Sequence, residues 1–600
     1  MSDGNVVCPG IREDRLNLAL GNAPIDFTDA DGNSFAVGDT IPGLDPCEVP
    51  EGVNLTADVT QGCVPVNLFA PNALEILGEL SPQEAAFLFD NRDFDTQYFQ
   101  TILSGFATGT IAELPAGDVQ TLLGVEWRRD ELDSVPDNIA ADGLFFGFFS
   151  DQGAAGSRNL FEVFGEISVP LVADKPFFKQ LDLDAGFRFL DDEFFGSESV
   201  YTVSGGWRPV DSLLLRASYG TSFRAPNLGE LFQLPQSGFT TVVDPCVAPQ
   251  AAFVPGDLTD PNSPLVFDES LDTRDPGVIA LCLSEGVDQD LGGGAVAALT
   301  QVEVFGQGNL DLDPETSTSL SLGASFEQPF FDGFDFTFGV NYYDIDVEDA
   351  VFDPTAQFAV ADCFNPDGET RSFFCDFIDR GADGLIDFVA TPFINLNEEE
   401  VKGFDFNSSF EVEFTAFDKP FTYSWNGRAN HLLDRSFTFI DDNGEVDVNN
   451  VEGEFGFARW TGSMVNRLEY NDFAFNFFTR WIGPQEQDEA GIDEFGNAFG
   501  IDTDDDGFAD TFGDTCLGPN FGDVNCRDVG FADDYFVHNI SLSYNDTDSG
   551  FSATLGVNNI FNNDPPEVDG SEVLSRSNVP LGAGFNINGR TFVAQLRKSF

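Results

Sequence analysis

The sequence predicts an all-β protein, an antiparallel transmembrane β-barrel with long extracellular loops. Segments of about ten residues alternate apolar and polar side chains, as strands with opposite faces do. Short and long connections alternate between these segments, as in outer-membrane barrels. The polar face carries arginines and acids that need water or each other. It therefore indicates an aqueous or plugged interior rather than a second packed sheet.

The stretch 213–232 shows the alternation most clearly. One of its faces is apolar and aromatic, and the other carries Arg216 and Arg224 among hydroxyls and glycine. Pro226 ends the predicted strand because proline has no N–H to donate to a neighbour. A soluble sandwich would alternate in the same way, so the fold class depends on how often the pattern recurs.

The pattern recurs from about residue 97 to the end of the chain. Strands are predicted near residues 97–109, 119–128, 161–169, 181–189, 201–208, 213–224, 340–347, 404–414, 421–430, 539–544, 551–558 and 592–596. Short connections lie near residues 171–178, 209–211, 328–333, 414–419, 469–472 and 546–550. Long connections lie near residues 131–156, 226–306, 349–393, 437–452, 487–533 and 561–588. Tight turns are therefore expected at one end of the sheet and large loops at the other.

Residues 1–95 contain no long periodic element. We interpret them as an extracellular loop-like region that precedes a barrel spanning residues 96–600. Within the first region, Ser81 to Phe89 is predicted to form a short capped helix, with Pro82 in its first turn.

Composition limits the class of function. The formal net charge is -76, which argues against nucleic-acid binding because that requires a basic surface. The aromatic content of 13% argues against disorder. Two interpretations of the acid excess stay open: a surface adapted to high salt, or a polar cavity and loops that attract cations. No apolar run is long enough for a membrane-spanning helix, and the residues after Met1 do not resemble a signal peptide.

Several stretches resemble the TonB-dependent receptor family of Gram-negative outer membranes. They occur in the order found in that family, and together they span roughly residues 97–600. The matching stretches are 216–232, which is similar to the mid-barrel signature, 308–317, 340–347, 556–566 and 589–600, the last ending in the terminal aromatic Phe600.

The resemblance implies a 22-stranded barrel with a plugged lumen in the outer membrane. It also implies uptake of a scarce solute, such as an iron chelate, cobalamin or a saccharide, driven by a TonB-type energising complex. Only about fifteen strands are recognisable, so the chain looks like the C-terminal two-thirds of such a receptor. The plug, the coupling segment and about seven strands of the family pattern are not recognised. The chain as written is therefore not expected to transport actively.

The incomplete strand count has a topological consequence. The first and last predicted strands run in the same direction, so direct closure of the sheet would pair them in parallel. The strand at 97–109 would otherwise be an exposed edge, which is prone to pairing with other chains.

Four arginines on the predicted polar face are candidates for contact with an anionic solute: Arg188, Arg208, Arg216 and Arg224. The alternatives are ladders with acids of the barrel wall or contacts to a plug. An enzyme is not expected, because the sequence has no Gly-x-Ser-x-Gly motif, no phosphate loop and no histidine-centred cluster.

The nine cysteines all fall in predicted long loops or in the N-terminal region. Disulfides that staple loops are expected if these segments face an oxidising exterior, and free thiols are the alternative. Cys8 is left over. The candidate pairs are Cys47 with Cys63, Cys246 with Cys282, Cys363 with Cys375, and Cys516 with Cys526.

One acidic stretch suggests a calcium loop. Asp502, Asp504 and Asp506, followed by Gly507, match the start of an EF-hand loop, but Gly513 occupies the position of its last ligand. The alternative is a solvated acidic loop. A calcium site would favour a second function, a secreted calcium-binding, adhesin-like β protein, which the receptor-like motifs oppose.

Overall fold

The computed structural model describes residues 9–29, 32–66, 80–256, 263–293, 299–365, 371–381, 383–440, 446–486, 531–566 and 584–599. Among these residues, no helix is both long enough and apolar enough to cross a membrane.

The N-terminal residues form a small unit with its own apolar core. Its elements are β1 (Pro9–Ile11), α1 (Glu13–Leu20), β2 (Phe27–Thr28), β3 (Ser34–Phe35), α2 (Ala57–Thr60), α3 (Pro82–Leu88) and β4 (Phe89–Asn91). The two ends of the unit meet where β1 pairs with β4. Leu18, Phe87 and Leu88 are buried in its core. The region is therefore folded around its own contacts.

Helix α3 confirms the predicted capped helix. The Ser81 hydroxyl accepts from the Glu84 N–H at 3.2 Å, and the Glu84 carboxylate accepts from the Ser81 N–H at 2.6 Å. This reciprocal pair satisfies two N–H groups that the first turn leaves open. Helix α1 was not predicted, because Arg12 precedes it and makes no side-chain cap.

A single antiparallel sheet of 16 strands organises the rest of the chain. Its strands are β5 (Phe94–Leu114), β6 (Gly117–Pro136), β7 (Ala154–Lys175), β8 (Phe178–Asp192), β9 (Gly196–Val210), β10 (Leu213–Arg224), β15 (Glu315–Glu327), β16 (Asp335–Phe352), β19 (Ile394–Ala416), β20 (Lys419–Ile440), β21 (Val446–Asn450), β22 (Trp460–Tyr470), β23 (Phe473–Ile482), β26 (Tyr535–Asp546), β27 (Phe551–Asn558) and β28 (Thr591–Lys598). All but β21 follow one another in chain order, and β21 pairs with β20. The predicted all-β class and the count of about fifteen strands are thus confirmed.

The short and long connections alternate as predicted. Turns at residues 115–116, 176–177, 211–212, 328–334, 417–418, 471–472 and 547–550 lie at one end of the sheet, which we call the short-turn end. The other end, the long-loop end, carries the long connections and one short exception at residues 193–195.

The long connections contain secondary structure of their own. Their elements are α4 (Asn138–Ala141), α5 (Leu228–Phe232), β11 (Gln236–Val243), β12 (Phe253–Pro255), β13 (Leu265–Phe267), α6 (Pro276–Ser284), β14 (Leu299–Gln307), α7 (Ala356–Cys363), β17 (Ile378–Arg380), β18 (Ile386–Pro392), β24 (Gln485–Glu486) and β25 (Phe531–Ala532). Short 3₁₀ turns lie at Gln250–Ala252, Glu269–Leu271 and Phe373–Phe377.

The apolar face of the sheet carries two aromatic belts. The short-turn belt contains Phe414, Phe421, Tyr470, Phe473, Tyr544 and Phe551, whose neighbouring ring centroids lie 4.9 to 6.4 Å apart where they stack or tilt together. The long-loop belt contains Phe406, His431, Trp460, Trp481, Phe536 and His538.

The distance between the belts matches an apolar membrane band. On β23 the belts are represented by Phe473 and Trp481, a rise of about 27 Å along the strand at ~3.4 Å per residue. A tilt of about 40° reduces this to roughly 20 Å along a barrel axis, close to the apolar band of outer-membrane barrels.

The sheet has two open edges among the described residues. Strand β5 pairs only with β6, and β28 pairs only with β27. Every residue of β5 is exposed, as expected for the predicted edge at 97–109. Both edge strands run towards the short-turn end, and they do not pair with each other.

Candidate ligand-binding surface

Three of the four arginines singled out from the sequence have protein partners. Arg188 donates to Glu162 at 2.9 Å and lies over the Phe164 ring. Arg208 donates to the carbonyl of Asp211 at 2.8 Å, which ties it to a short turn. These contacts fit the alternative of wall ladders better than contact with a solute.

Arg224 is the most strongly paired of the four. Its guanidinium donates twice to the Glu315 carboxylate, each time at 2.6 Å, and also to Glu230 at 3.0 Å. Glu315 lies directly opposite on β15, and Glu230 belongs to the N-terminal capping box of α5. Arg224 therefore fixes the start of a long loop to the strand beside it.

Arg216 has no ion pair or hydrogen bond among the described residues. It lines a cavity of about 410 Å³ together with Arg208, Asp182 and Asp184. The four arginines do not converge, because Arg188 and Arg224 lie nearer the long-loop end. Of the predicted set, Arg216 is the residue whose charge stays available.

A larger polar trough lies on the same face, across β19, β20, β22 and β23. Its volume is about 970 Å³. The register places Asn407 opposite Arg428, Arg428 opposite Ser463, and Ser463 opposite Arg480. Strand spacing separates the two arginines by about 10 Å. These four side chains form the Arg428–Arg480 row.

The Arg428–Arg480 row offers unneutralised positive charge. Within the described part of the chain, neither arginine has a carboxylate partner, and both are exposed. The nearby Asp405 already accepts from the Asn430 amide at 3.0 Å. Two guanidinium groups with free donors suit carboxylate, phosphate or similar anions, which they can bind in bidentate fashion.

Sequence reasoning did not single out Arg428 and Arg480. Arg428 was visible as a polar-face residue, since it alternates with Gly427 and Ala429. The distinguishing property is the absence of an acid opposite it. That property depends on the pairing register of strands that are far apart in sequence, so it became apparent only in the structure.

The described residues of two long connections, 225–314 and 353–393, fold together into what we call the loop domain. Its sheet has the order β11-β14-β18-β17, and β14 pairs with β18 in parallel. Its core includes Val242, Val302, Phe358, Ile386 and Val389. The loop domain thus joins segments on either side of β15 and β16.

The disulfides lie within the loop domain and within the N-terminal unit, and none joins these two regions among the described residues. Disulfides join Cys246 to Cys282 and Cys363 to Cys375 in the loop domain, and Cys47 to Cys63 in the N-terminal unit. The remaining candidates, Cys516 and Cys526, and the unassigned Cys8 lie outside the described residues, as does Phe600.

The N-terminal unit is held together by ion pairs of its own, and its backbone contacts the connection after β6. Arg12 is buried and donates to Asp14 at 2.7 Å and to Asp58 at 2.8 Å. The hydrogen bond from Arg12 lowers the pKa of the Asp58 carboxyl below its usual value. The Glu13 N–H donates to the Leu144 carbonyl at 2.7 Å, which links the unit to the connection after β6.

The predicted calcium residues Asp502, Asp504 and Asp506 lie outside the described residues. Within the described part, one group of three carboxylates is close enough to hold a metal ion: Asp344, Asp346 and Glu400. The Lys402 ammonium contacts Glu400 and lies 3.7 Å from Asp344. This group is therefore already neutralised in part by a lysine.

Both histidines of the chain belong to the long-loop belt. His431 stacks on Trp460 with ring centroids 4.1 Å apart, and His538 hydrogen bonds Thr479 at 2.9 Å. Neither lies beside an acid and a nucleophile in the way that a catalytic triad requires.

Residues 66–560 of this chain match the model of the family described as TonB dependent receptor-like, beta-barrel. The match covers most of the chain, which therefore belongs to the TonB-dependent receptor-like β-barrel family. Members of this family are transport receptors rather than enzymes.

Several solved structures are similar to this chain over part of their length but share little sequence with it. A variant of the ferric enterobactin receptor of Pseudomonas aeruginosa, bound to enterobactin, is 14% identical with a TM-score of 0.47, covering 85% of this chain and 55% of its own. A siderophore receptor of Acinetobacter baumannii is 14% identical with a TM-score of 0.47, and the match covers 85% of this chain and 55% of the receptor. A double mutant of the Serratia marcescens hemophore receptor is 13% identical with a TM-score of 0.44, and the match covers 84% of this chain and 59% of the receptor. The chain thus spans little more than half the length of these receptors.

Proposed function

We propose that the protein is an outer-membrane receptor for uptake of a scarce anionic solute, and that the Arg428–Arg480 row contacts this solute. The observation that carries the proposal is the row itself, two arginines without carboxylate partners among the described residues. A chain with 103 acidic and 27 basic residues has ample acids to neutralise its arginines, and it does so for Arg188 and Arg224.

Membership of the family and the two aromatic belts support an outer-membrane location. In this arrangement the polar face lines the lumen, the long-loop end faces the cell exterior, and lipid covers the apolar face. Family membership also supports a TonB-type complex as the energising partner of the whole receptor. The solute would first meet the loop domain and then the polar wall below it.

The chemistry of the row favours a solute with at least two anionic groups. The guanidinium groups are about 10 Å apart across two strand spacings, so one compact anion would engage only one of them. An anionic iron chelate fits this requirement better than cobalamin or a neutral saccharide. Ser463 supplies an uncharged donor between the two charges, and Asn407 supplies another on the far side of Arg428.

The experiment compares binding of three probes to outer-membrane vesicles that contain the full chain. The probes are ferric citrate and ferric enterobactin, which are anionic, and cyanocobalamin, which is not a multiply charged anion. We expect an anionic chelate to bind and the double variant R428Q/R480Q to lose at least tenfold in affinity. R597Q, which removes one charge from the same face near the chain end, is the control and should bind as the parent does.

Absence of the chain from the outer-membrane fraction would refute the receptor assignment. Correct localisation with cyanocobalamin as the bound probe, or with unchanged affinity in R428Q/R480Q, would instead reject the anionic solute and its proposed contact.

A further inference from the structure

The lysines of the chain are concentrated at one end of the sheet. They are Lys175, Lys179, Lys402, Lys419 and Lys598. All except Lys402 lie at the short-turn end: two flank the turn between β7 and β8, one begins β20, and one ends β28.

Two of these lysines lie beside aromatic residues on the apolar face, and a third lies on the same face. The Lys419 ammonium is 5.0 Å from the centroid of the Tyr470 ring. Lys598 is directly opposite Phe551 in the register of β27 and β28. Lys179 is on the same face as Leu181, which pairs with Trp207 on β9. We call Lys179, Lys419 and Lys598 the rim lysines.

Each rim lysine also has aspartates close by. Lys179 lies 3.1 Å from Asp174 and 3.7 Å from Asp211. Lys419 follows Asp418 in the turn, and Phe551 separates Lys598 from Asp546, since both lie directly opposite it in the register. The rim therefore alternates cations and anions, and it is not a uniformly basic surface.

We propose that this rim binds phospholipids with phosphoethanolamine headgroups. The rim lysines donate to the phosphate, and the adjacent aspartates accept from the ammonium. A lysine beside an interfacial aromatic can extend its stem along apolar surface and place its ammonium at the level of the headgroup phosphates. A zwitterionic headgroup matches a rim of both signs, whereas a purely anionic one would be repelled by the aspartates.

The geometry of the belts supports this placement. The short-turn belt marks one boundary of the apolar band. Lys419 is on the side of this belt that faces the turns, and Lys598 is level with Phe551 of the belt. Lys402 differs, because it lies beyond the long-loop belt and is held by Asp344 and Glu400. The inference concerns lipid contact alone and does not depend on which solute the receptor takes up.

The test uses the full chain in detergent with an equimolar mixture of phosphatidylethanolamine, phosphatidylcholine and phosphatidylglycerol of identical acyl chains, with bound lipid counted by native mass spectrometry. We expect phosphatidylethanolamine to be retained over phosphatidylcholine roughly fivefold, about the factor of one net hydrogen bond from its primary ammonium to an aspartate. The triple variant K179Q/K419Q/K598Q should retain less of both lipids, and D174N/D211N/D418N should reduce the ratio to near one. The control K402Q, with its charge change at the other end, should keep the parent ratio.

Folding of each variant is checked by the electrophoretic shift between heated and unheated samples. If the glutamine triple variant fails to fold, the proposal is tested by the ratio of retained phosphatidylethanolamine to phosphatidylcholine in the parent and in the arginine triple variant K179R/K419R/K598R, which keeps the three charges. Equal retention of phosphatidylethanolamine and phosphatidylcholine by the parent would overturn the proposal. Preferential retention of phosphatidylglycerol would do so too, because the rim would then respond to net charge alone. A separate mixture with lipid A identifies the other phosphate source; preferred lipid A retention, sensitive to K402Q, would contradict the placement at the short-turn end.

Discussion

Asp244 and Arg380 form a two-pronged ion pair inside the loop domain. The two guanidinium nitrogens lie 2.5 and 2.9 Å from the carboxylate oxygens, and Asp244 is fully buried. Asp244 follows β11 and Arg380 ends β17, so the pair joins the two long connections that build the domain.

Removing Asp244 should leave the largely buried Arg380 guanidinium without its carboxylate partner. We expect D244A to destabilise the loop domain by about 3 to 5 kcal/mol, measured as faster amide hydrogen exchange in β11, β14 and β18. R371Q is the control, because Arg371 pairs with Glu285 at the protein surface. Unchanged exchange in D244A would show that the domain does not depend on this pair.

The disulfide between Cys246 and Cys282 should stabilise the same domain by closing a loop. With a sequence separation of 36 residues, the loss in C246S/C282S is expected to be about 3 to 4 kcal/mol. Protease resistance of residues 236–307 would report it. C47S/C63S, in the N-terminal unit, should leave that protease resistance unchanged. If residues 236–307 become equally sensitive to protease in both variants, the two disulfides do not stabilise their regions independently.

The N-terminal unit should lose stability in acid because of Asp58. The hydrogen bond from Arg12 lowers the pKa of this carboxyl, so its stabilising contribution is present above the unfolded value of about 3.9. It is lost as the pH falls through the lower folded value. Hydrogen exchange of α1 at a series of pH values should show this loss in the parent.

The same measurement on D58N should show a smaller dependence on pH below about 4. D45N, which changes an exposed aspartate of the same unit, is the control and should behave as the parent. If hydrogen exchange of α1 in the parent protein does not change with pH across this range, the ion pair between Arg12 and Asp58 does not stabilise the unit.

Phe417 occupies a strained turn between β19 and β20. Its φ is 53°, that of the next residue, Asp418, is 59°, and the Phe417 side chain is 93% exposed. Asparagine tolerates this left-handed conformation better than phenylalanine. F417N should therefore stabilise the folded state by about 1 kcal/mol, read from urea unfolding.

F177N provides an independent comparison, because Phe177 has a φ of 62° in the turn between β7 and β8 and is 73% exposed. If either substitution lowers stability, the exposed ring makes a contact whose loss outweighs the relief of strain.

The strands were predictable from sequence because one face of each lies against an apolar phase while the other is polar. This alternation with a period of two can be recognised in the sequence without knowing which strands pair with each other. Helix α3 was predictable for a similar reason, since Ser81 and Glu84 carry the whole capping signal within four residues. Arg12 supplies no such signal, so α1 was missed.

The loop domain and the Arg428–Arg480 row could not be predicted in the same way. The parallel pairing of β14 with β18 joins segments separated by two barrel strands, and the helices beside them are short. Arg188, Arg216 and Arg428 look alike in the sequence. Their difference lies in whether a neighbouring strand brings an acid within reach, as β7 brings Glu162 to Arg188, and this is a long-range property.

The Arg428–Arg480 row also constrains how the sheet can assemble. A strand that slips by one residue exchanges its two faces. Such a slip in β20 would carry Arg428 into the hydrocarbon between the two belts, at a cost below the roughly 2 to 4 kcal/mol of an arginine at the midplane of the bilayer. In β23 it would carry Arg480 only to the level of the long-loop belt, where the cost is at most about 1 kcal/mol. These two charges therefore also disfavour misaligned pairing of β20 and, more weakly, of β23.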